Sequence, residues 1–126
     1  MWIYTRYGFF SVTSTELPDG KVNPHEVQIR ARCKKHLENV RKRFSHLWEK
    51  TPRIIHTPTA DYAYRMIVHK DLATGMFMEL VQEIQYTNFK EECHKTMGGD
   101  ASYRGLLHVT WSAAHQYQVK NESMWK

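Results

Sequence analysis

Residues 2–13 carry rings and β-branched side chains in close succession, the composition of a strand on a half-buried pleated surface. Gly8 interrupts the run and predicts a bulge that shifts the inward and outward alternation. Before it, Ile3, Thr5 and Tyr7 share one face, and Trp2, Tyr4 and Arg6 share the other. Residues 13–24 hold Pro18-Asp19-Gly20 and Asn23-Pro24. Proline presets φ and glycine accepts φ > 0, so a loop is expected there. From 26 to 32 the alternation is clean, with Val27, Ile29 and Ala31 against Gln28, Arg30 and Arg32. At Cys33 the period lengthens. Cys33, Leu37, Val40, Phe44 and Leu47 recur at helical spacing, and Thr51-Pro52 ends the helix because the residue before proline is pushed out of the α region.

A short strand is expected at 53–56 and a longer one at 61–70, where Tyr62, Tyr64, Met66 and Val68 alternate with Ala63, Arg65, Ile67 and His69. Asp71 has the chemistry of an N-cap for a helix through Ile84, with Leu72, Met76, Leu80 and Ile84 on one side. Residues 86–97 read as a further helix stopped by Gly98-Gly99, and 101–118 as the last. The order β-β-α-β-β-α-α-α predicts an α+β domain with a four-stranded, mainly antiparallel sheet and helices over one face. The domain is placed at 1–118, and the polar tail 119–126 is expected to be loose.

A chain of 126 residues, 41% apolar and 25% charged, can build one core unaided and is not a disordered polymer. No apolar run reaches the length of a membrane span. The start, Met1-Trp2-Ile3-Tyr4-Thr5-Arg6, lacks the basic, apolar and small-residue regions of a signal peptide, so a cytoplasmic location is expected. There Cys33 and Cys93, which form no CxxC arrangement, are expected to remain free thiols.

Charge changes the picture more. The net charge of +5 is concentrated at 30–50, where eight Lys or Arg face two Glu for a local +6, against −1 elsewhere from ten basic and eleven acidic residues. Such a patch on a near-neutral body points to a directed electrostatic contact. Arg30 and Arg32 share a strand face, Arg65 and His69 project from theirs, and Trp2, Tyr4 and Arg6 can join them. Guanidinium groups flanked by rings suit phosphates and bases. Lys34, Lys35, Arg41 and Lys42 fall off the apolar stripe of the first helix and extend the basic footprint. A plainer reading pairs these arginines with Asp61, Glu79 or Glu83, and the helix cations with solvent.

The segment Arg6-Tyr7-Gly8-Phe9-Phe10-Ser11-Val12 has part of the aromatic and basic strand of RNA-recognition domains, without the second small residue between its rings. The eight histidines include no HExxH and no His-Cys cluster, so neither a metal nor a cofactor is expected. The leading expectation is a small binding module for a phosphate-rich ligand, RNA or DNA, with no reaction named. The alternative is a protein-interaction factor docking its basic patch on an acidic partner. A third reading is a metal-independent ribonuclease, with His69 moving the proton and Arg30 and Arg65 holding the phosphorane charge. Oligomeric state is not encoded in any pattern here.

The opening MWIYTRYGFFSV, the junction VQIRARCKKHLENVRKRF, the strand ADYAYRMIV, and the stretches YTNFK and TWSAA span most of the chain. Together they resemble a family of short bacterial and phage-borne proteins that open with Met-Trp, continue GFFS and carry paired arginines before the first helix. The resemblance implies no activity. It picks out Trp2, Gly8, Phe9, Phe10, Ser11, Arg30, Arg32, Asp61, Tyr62, Arg65, Asn88, Phe89 and Trp111, and departs at the longer first loop and the polar tail.

Overall fold

In the computed structural model, which describes residues 1–122, the first run of rings folds back on itself. Strands β1 (Trp2–Thr5) and β2 (Gly8–Glu16) pair antiparallel with Thr5 opposite Gly8, so a reversal at Arg6-Tyr7 replaces the expected single bulged strand. Thr5 builds that turn: its hydroxyl donates to the Gly8 carbonyl at 2.9 Å and accepts from the Tyr7 N–H at 3.0 Å. Gly8 takes φ +148°, a region closed to most side chains. The strand count therefore rises from four to five.

The expected loop at 13–24 is mostly a second hairpin between β2 and β3 (Val22–Ala31). Its turn is confined to 17–21, where the Leu17 N–H donates to the Lys21 carbonyl at 2.7 Å and Asp19 Oδ1 accepts from the Lys21 N–H at 3.0 Å. The register shifts between Ser14 and Glu16. Residues 23–25 consequently have no ladder partner, which is where Pro24, lacking an N–H, can sit in a strand. Strands β4 (Ile55–His56) and β5 (Tyr64–His69) complete an antiparallel sheet of order β1-β2-β3-β5-β4. The class is α+β.

The chain divides into two compact units, Met1–Gln85 and Tyr86–Lys126. In the first, helices α1 (Lys34–Arg43) and α2 (Lys70–Gln82) cover one face of the sheet. Alternation dictates which residues they meet. Phe10, Val12, Val27, Ile29, Ala31, Met66 and Val68 come from the strands, Leu37, Val40 and Phe44 from α1 and its cap, and Ala73 and Met76 from α2. The stripe breaks at two positions. Cys33 is the N-cap of α1 and exposed rather than core, because the helix begins only after it. After Phe44 the chain tightens into a 3-10 turn, Ser45–Leu47. Helix α2 is capped by His69, whose ring accepts from the Asp71 N–H, and not by Asp71 itself.

In the second unit, α3 (Phe89–Thr96) is capped by Asn88, and α4 (Ala101–Asn121) by Asp100. Gly98 and Gly99, both at positive φ, separate them as expected. The last helix runs past the expected end at 118 and takes in Val119 and Lys120, and 123–126 of the expected tail lie outside the described residues. Among the described residues no helix is long and apolar enough to cross a membrane.

Candidate functional site

A strand's side chains alternate between faces, so the residues flanking the core positions line the face turned away from α1 and α2. Strand register assembles one transverse row on that far face. Trp2 stands opposite Ser11, Ser11 opposite Arg30, Arg30 opposite Arg65, and Arg65 opposite Ile55. Two guanidinium-bearing strands thus meet at a directly opposed Arg–Arg pair. The Arg30 guanidinium donates to Ser11 Oγ at 2.8 Å and lies 4.7 Å above the Tyr62 ring. Among the described residues Arg65 donates to Gln28 Oε1 alone, at 3.5 Å, the outer limit of a hydrogen bond. Among the described residues neither arginine has a carboxylate partner. The Nε atoms of both are buried and find no acceptor among the described residues.

Rings flank the pair. Tyr4 stacks on Phe9 with centroids 4.5 Å apart, Trp2 meets Phe9 edge-on at 6.2 Å, and Phe9 reaches Tyr62 at 6.5 Å. Phe9 and Tyr62 are buried, whereas Trp2 is 72% exposed. Tyr62 departs from the expected alternation. It precedes β5, which begins at Tyr64, so its ring is not held to the core face and lies under the arginines instead.

Arg32 differs from Arg30, although the two are two residues apart. Strand β3 ends at Ala31, and Arg32 is drawn to Asp61, with Nη1–Oδ1 at 3.0 Å and a second bond to the Asp61 carbonyl at 2.8 Å. The hydrogen bond to that carboxylate raises the Arg32 pKa further, and the guanidinium is braced 4.3 Å over Tyr62. Arg6 does not join Trp2 and Tyr4. It sits in the β1–β2 turn and reaches Glu83, which also accepts from Arg43 at 2.8 Å. Lys34, Lys35, Arg41 and Lys42 ride on α1, in the helical layer, away from the Arg30–Arg65 pair. Arg41 donates to the Pro52 carbonyl at 3.2 Å, and the three lysines are exposed.

His69 is four residues from Arg65 along β5, about 13 Å of strand. Its Nδ1 is occupied by the Asp71 N–H at 3.1 Å and its ring faces His25. Among the described residues no three His, Cys, Asp or Glu side chains gather as a metal-binding group. The site includes Ser11, Gln28, Phe9 and Tyr62, none of which the charge pattern indicates. Restarting the alternation at Gly8 would have placed Phe9 and Ser11 on the arginine face. No periodic signal marks Tyr62, since it lies outside a strand.

Comparison with protein-family models, with curated proteins and with solved structures finds no match to this chain. The motif resemblance read from the sequence gains no support from them.

Proposed function

We propose that the far face of the sheet is a binding surface for a phosphate-rich ligand, best fitted by single-stranded nucleic acid. The observation that carries this reading is the Arg30–Arg65 opposition, with two buried Nε–H donors left without acceptors among the described residues. Like charges directly opposite in a sheet are destabilising, and a buried unmet donor costs about 1–3 kcal/mol. An oxyanion between the guanidinium groups relieves both. The flanking rings argue for a nucleic acid over a bare anion: Trp2 offers an exposed aromatic surface in the same row, and bases stack on such rings in single strands. A binding role is favoured over catalysis because His69, the candidate proton carrier, is engaged in capping α2.

The test is fluorescence anisotropy with single-stranded RNA and DNA oligomers across a salt series. Affinity should fall steeply as salt rises, since each neutralised phosphate releases counterions. The double variant R30Q/R65Q should keep its fold and lose at least about tenfold in affinity with a shallower slope. Two results would overturn the reading. Absence of binding at low salt would favour docking of the α1 lysines on an acidic protein. Binding unchanged in R30Q/R65Q but lost when Lys34, Lys35 and Lys42 are replaced would move the surface to α1.

A further inference from the structure

We infer that the Arg30–Arg65 pair receives a terminal phosphate, a phosphomonoester at the end of a nucleic-acid strand, rather than an internal phosphodiester. This rests on the nucleic-acid reading above and narrows it.

Charge is the first argument. Two permanently protonated guanidinium groups oppose each other, and their protein contacts are the neutral Ser11 hydroxyl, the Gln28 amide and the Tyr62 ring. The nearby carboxylate, Asp61, is engaged by Arg32. The full double positive charge therefore faces the ligand. An internal phosphodiester brings one negative charge, whereas a monoester brings about −1.5 to −2 at neutral pH, with three acceptor oxygens. A single monoester matches the pair, whereas a single diester leaves one positive charge over.

Depth is the second. The buried donors without an acceptor among the described residues are the Nε atoms, at the base of each fork. A phosphate oxygen reaches them once the two forks part, because both atoms are shielded from solvent. A chain end, substituted on one side only, can enter in this way. An internal phosphate carries a nucleoside on both sides and meets the outer edge of the forks. The position of Trp2 is consistent with this polarity. It lies two strand spacings from Arg30 in the same row, about 10 Å, within reach of the first nucleosides behind a bound terminus.

The experiment compares one oligonucleotide sequence with a 5′-phosphate, a 3′-phosphate or hydroxyls at both ends, against the native chain, R30Q, R65Q and R65K. One phosphorylated form should bind at least tenfold tighter than the hydroxyl form. The preference should disappear in R30Q and R65Q. It should largely disappear in R65K, which keeps the charge but not the planar fork. It should also shrink as the pH falls through about 6, where the monoester regains its second proton. Inorganic phosphate should compete with the phosphorylated end. Equal affinity for all three oligonucleotides, still sensitive to R30Q and R65Q, would overturn the terminal-phosphate inference while leaving the nucleic-acid reading in place. A phosphate preference that survives R30Q and R65Q would also overturn it. Failure of every oligonucleotide to bind would remove both. Circular dichroism melts of each variant separate loss of binding from loss of fold.

Discussion

Gly8 lies against His36 so closely that a β-carbon on it would stand 2.3 Å from the imidazole Cγ. His36 is itself buried, accepts from the Phe9 N–H through Nδ1 at 3.3 Å, and meets the Phe10 ring edge-on. The contact seats the start of α1 on the first hairpin. Gly8→Ala combines that clash with a strained φ, so it should cost at least about 2 kcal/mol in chemical denaturation. Gly20 is the control. Its φ is also positive but nothing lies within 4 Å, so Gly20→Ala should cost only about 1 kcal/mol. Equal losses would show that the close approach contributes nothing.

Periodicity made the inner face of the sheet legible. Tyr64, Met66 and Val68 point inward as their alternation requires, and Leu37, Val40 and Phe44 are buried as the helical stripe requires. Single residues at element ends were not legible, because there a local bond outweighs the pattern. Thr5 turns the chain at a place where composition favours an unbroken strand. Tyr62 lies outside the alternation altogether. The arginines were recognisable as a set, and Asp61, Glu79 and Glu83 as candidate partners, but which arginine each carboxylate takes was not: Asp61 separates Arg32 from Arg30, and Glu83 withdraws Arg6 and Arg43. Such pairings join positions up to 77 residues apart, beyond the reach of local spacing.

Phe44 is completely buried, with the Tyr7 ring edge-on at 6.2 Å and the Arg43 guanidinium 4.8 Å above it. Phe44→Ala should lower unfolding free energy by about 3–5 kcal/mol, through lost transfer energy and the cavity left behind. A loss below about 1 kcal/mol would mean that the helix-to-sheet interface repacks.

Glu83 should be the carboxylate whose removal is felt most. It binds Arg6 of the β1–β2 turn at 3.2 Å and Arg43 of α1 at 2.8 Å, and its side chain is only 13% exposed. Removing one partner of a shielded pair leaves a cation without its match. After Glu83→Gln, the carboxylate left to Arg43 among the described residues would be Glu79, at 3.9 Å. Urea titration should show a loss of about 1–3 kcal/mol, against under about 1 kcal/mol for Asp61→Asn, whose pair with Arg32 is exposed.

The two free thiols should titrate differently. Cys33 is exposed and Cys93 buried, so a thiol reagent added to native protein should label one site promptly and the second only on unfolding. Cys33→Ser should abolish the prompt phase. Two prompt equivalents would contradict the burial of Cys93.

The Arg30–Arg65 opposition makes a claim about stability that needs no ligand. Arg65 contributes a like charge beside Arg30, a buried Nε without an acceptor, and one hydrogen bond at the 3.5 Å limit. Arg65→Gln removes the first two and gives up little in the third. The expected gain is about 1 kcal/mol, or roughly 4 °C in Tm for a chain of this size. The native chain should also be stabilised by phosphate more than by chloride at matched ionic strength, because an anion that binds only the folded state raises Tm by mass action. Screening alone would act equally for both salts. In Arg65→Gln the excess of phosphate over chloride should fall to the general kosmotropic gain that any folded chain shows, while the screening effect remains. A variant that melts several degrees lower would mean that Arg65 holds β5 in place as a structural residue. The unmet donors would then no longer argue for a bound oxyanion.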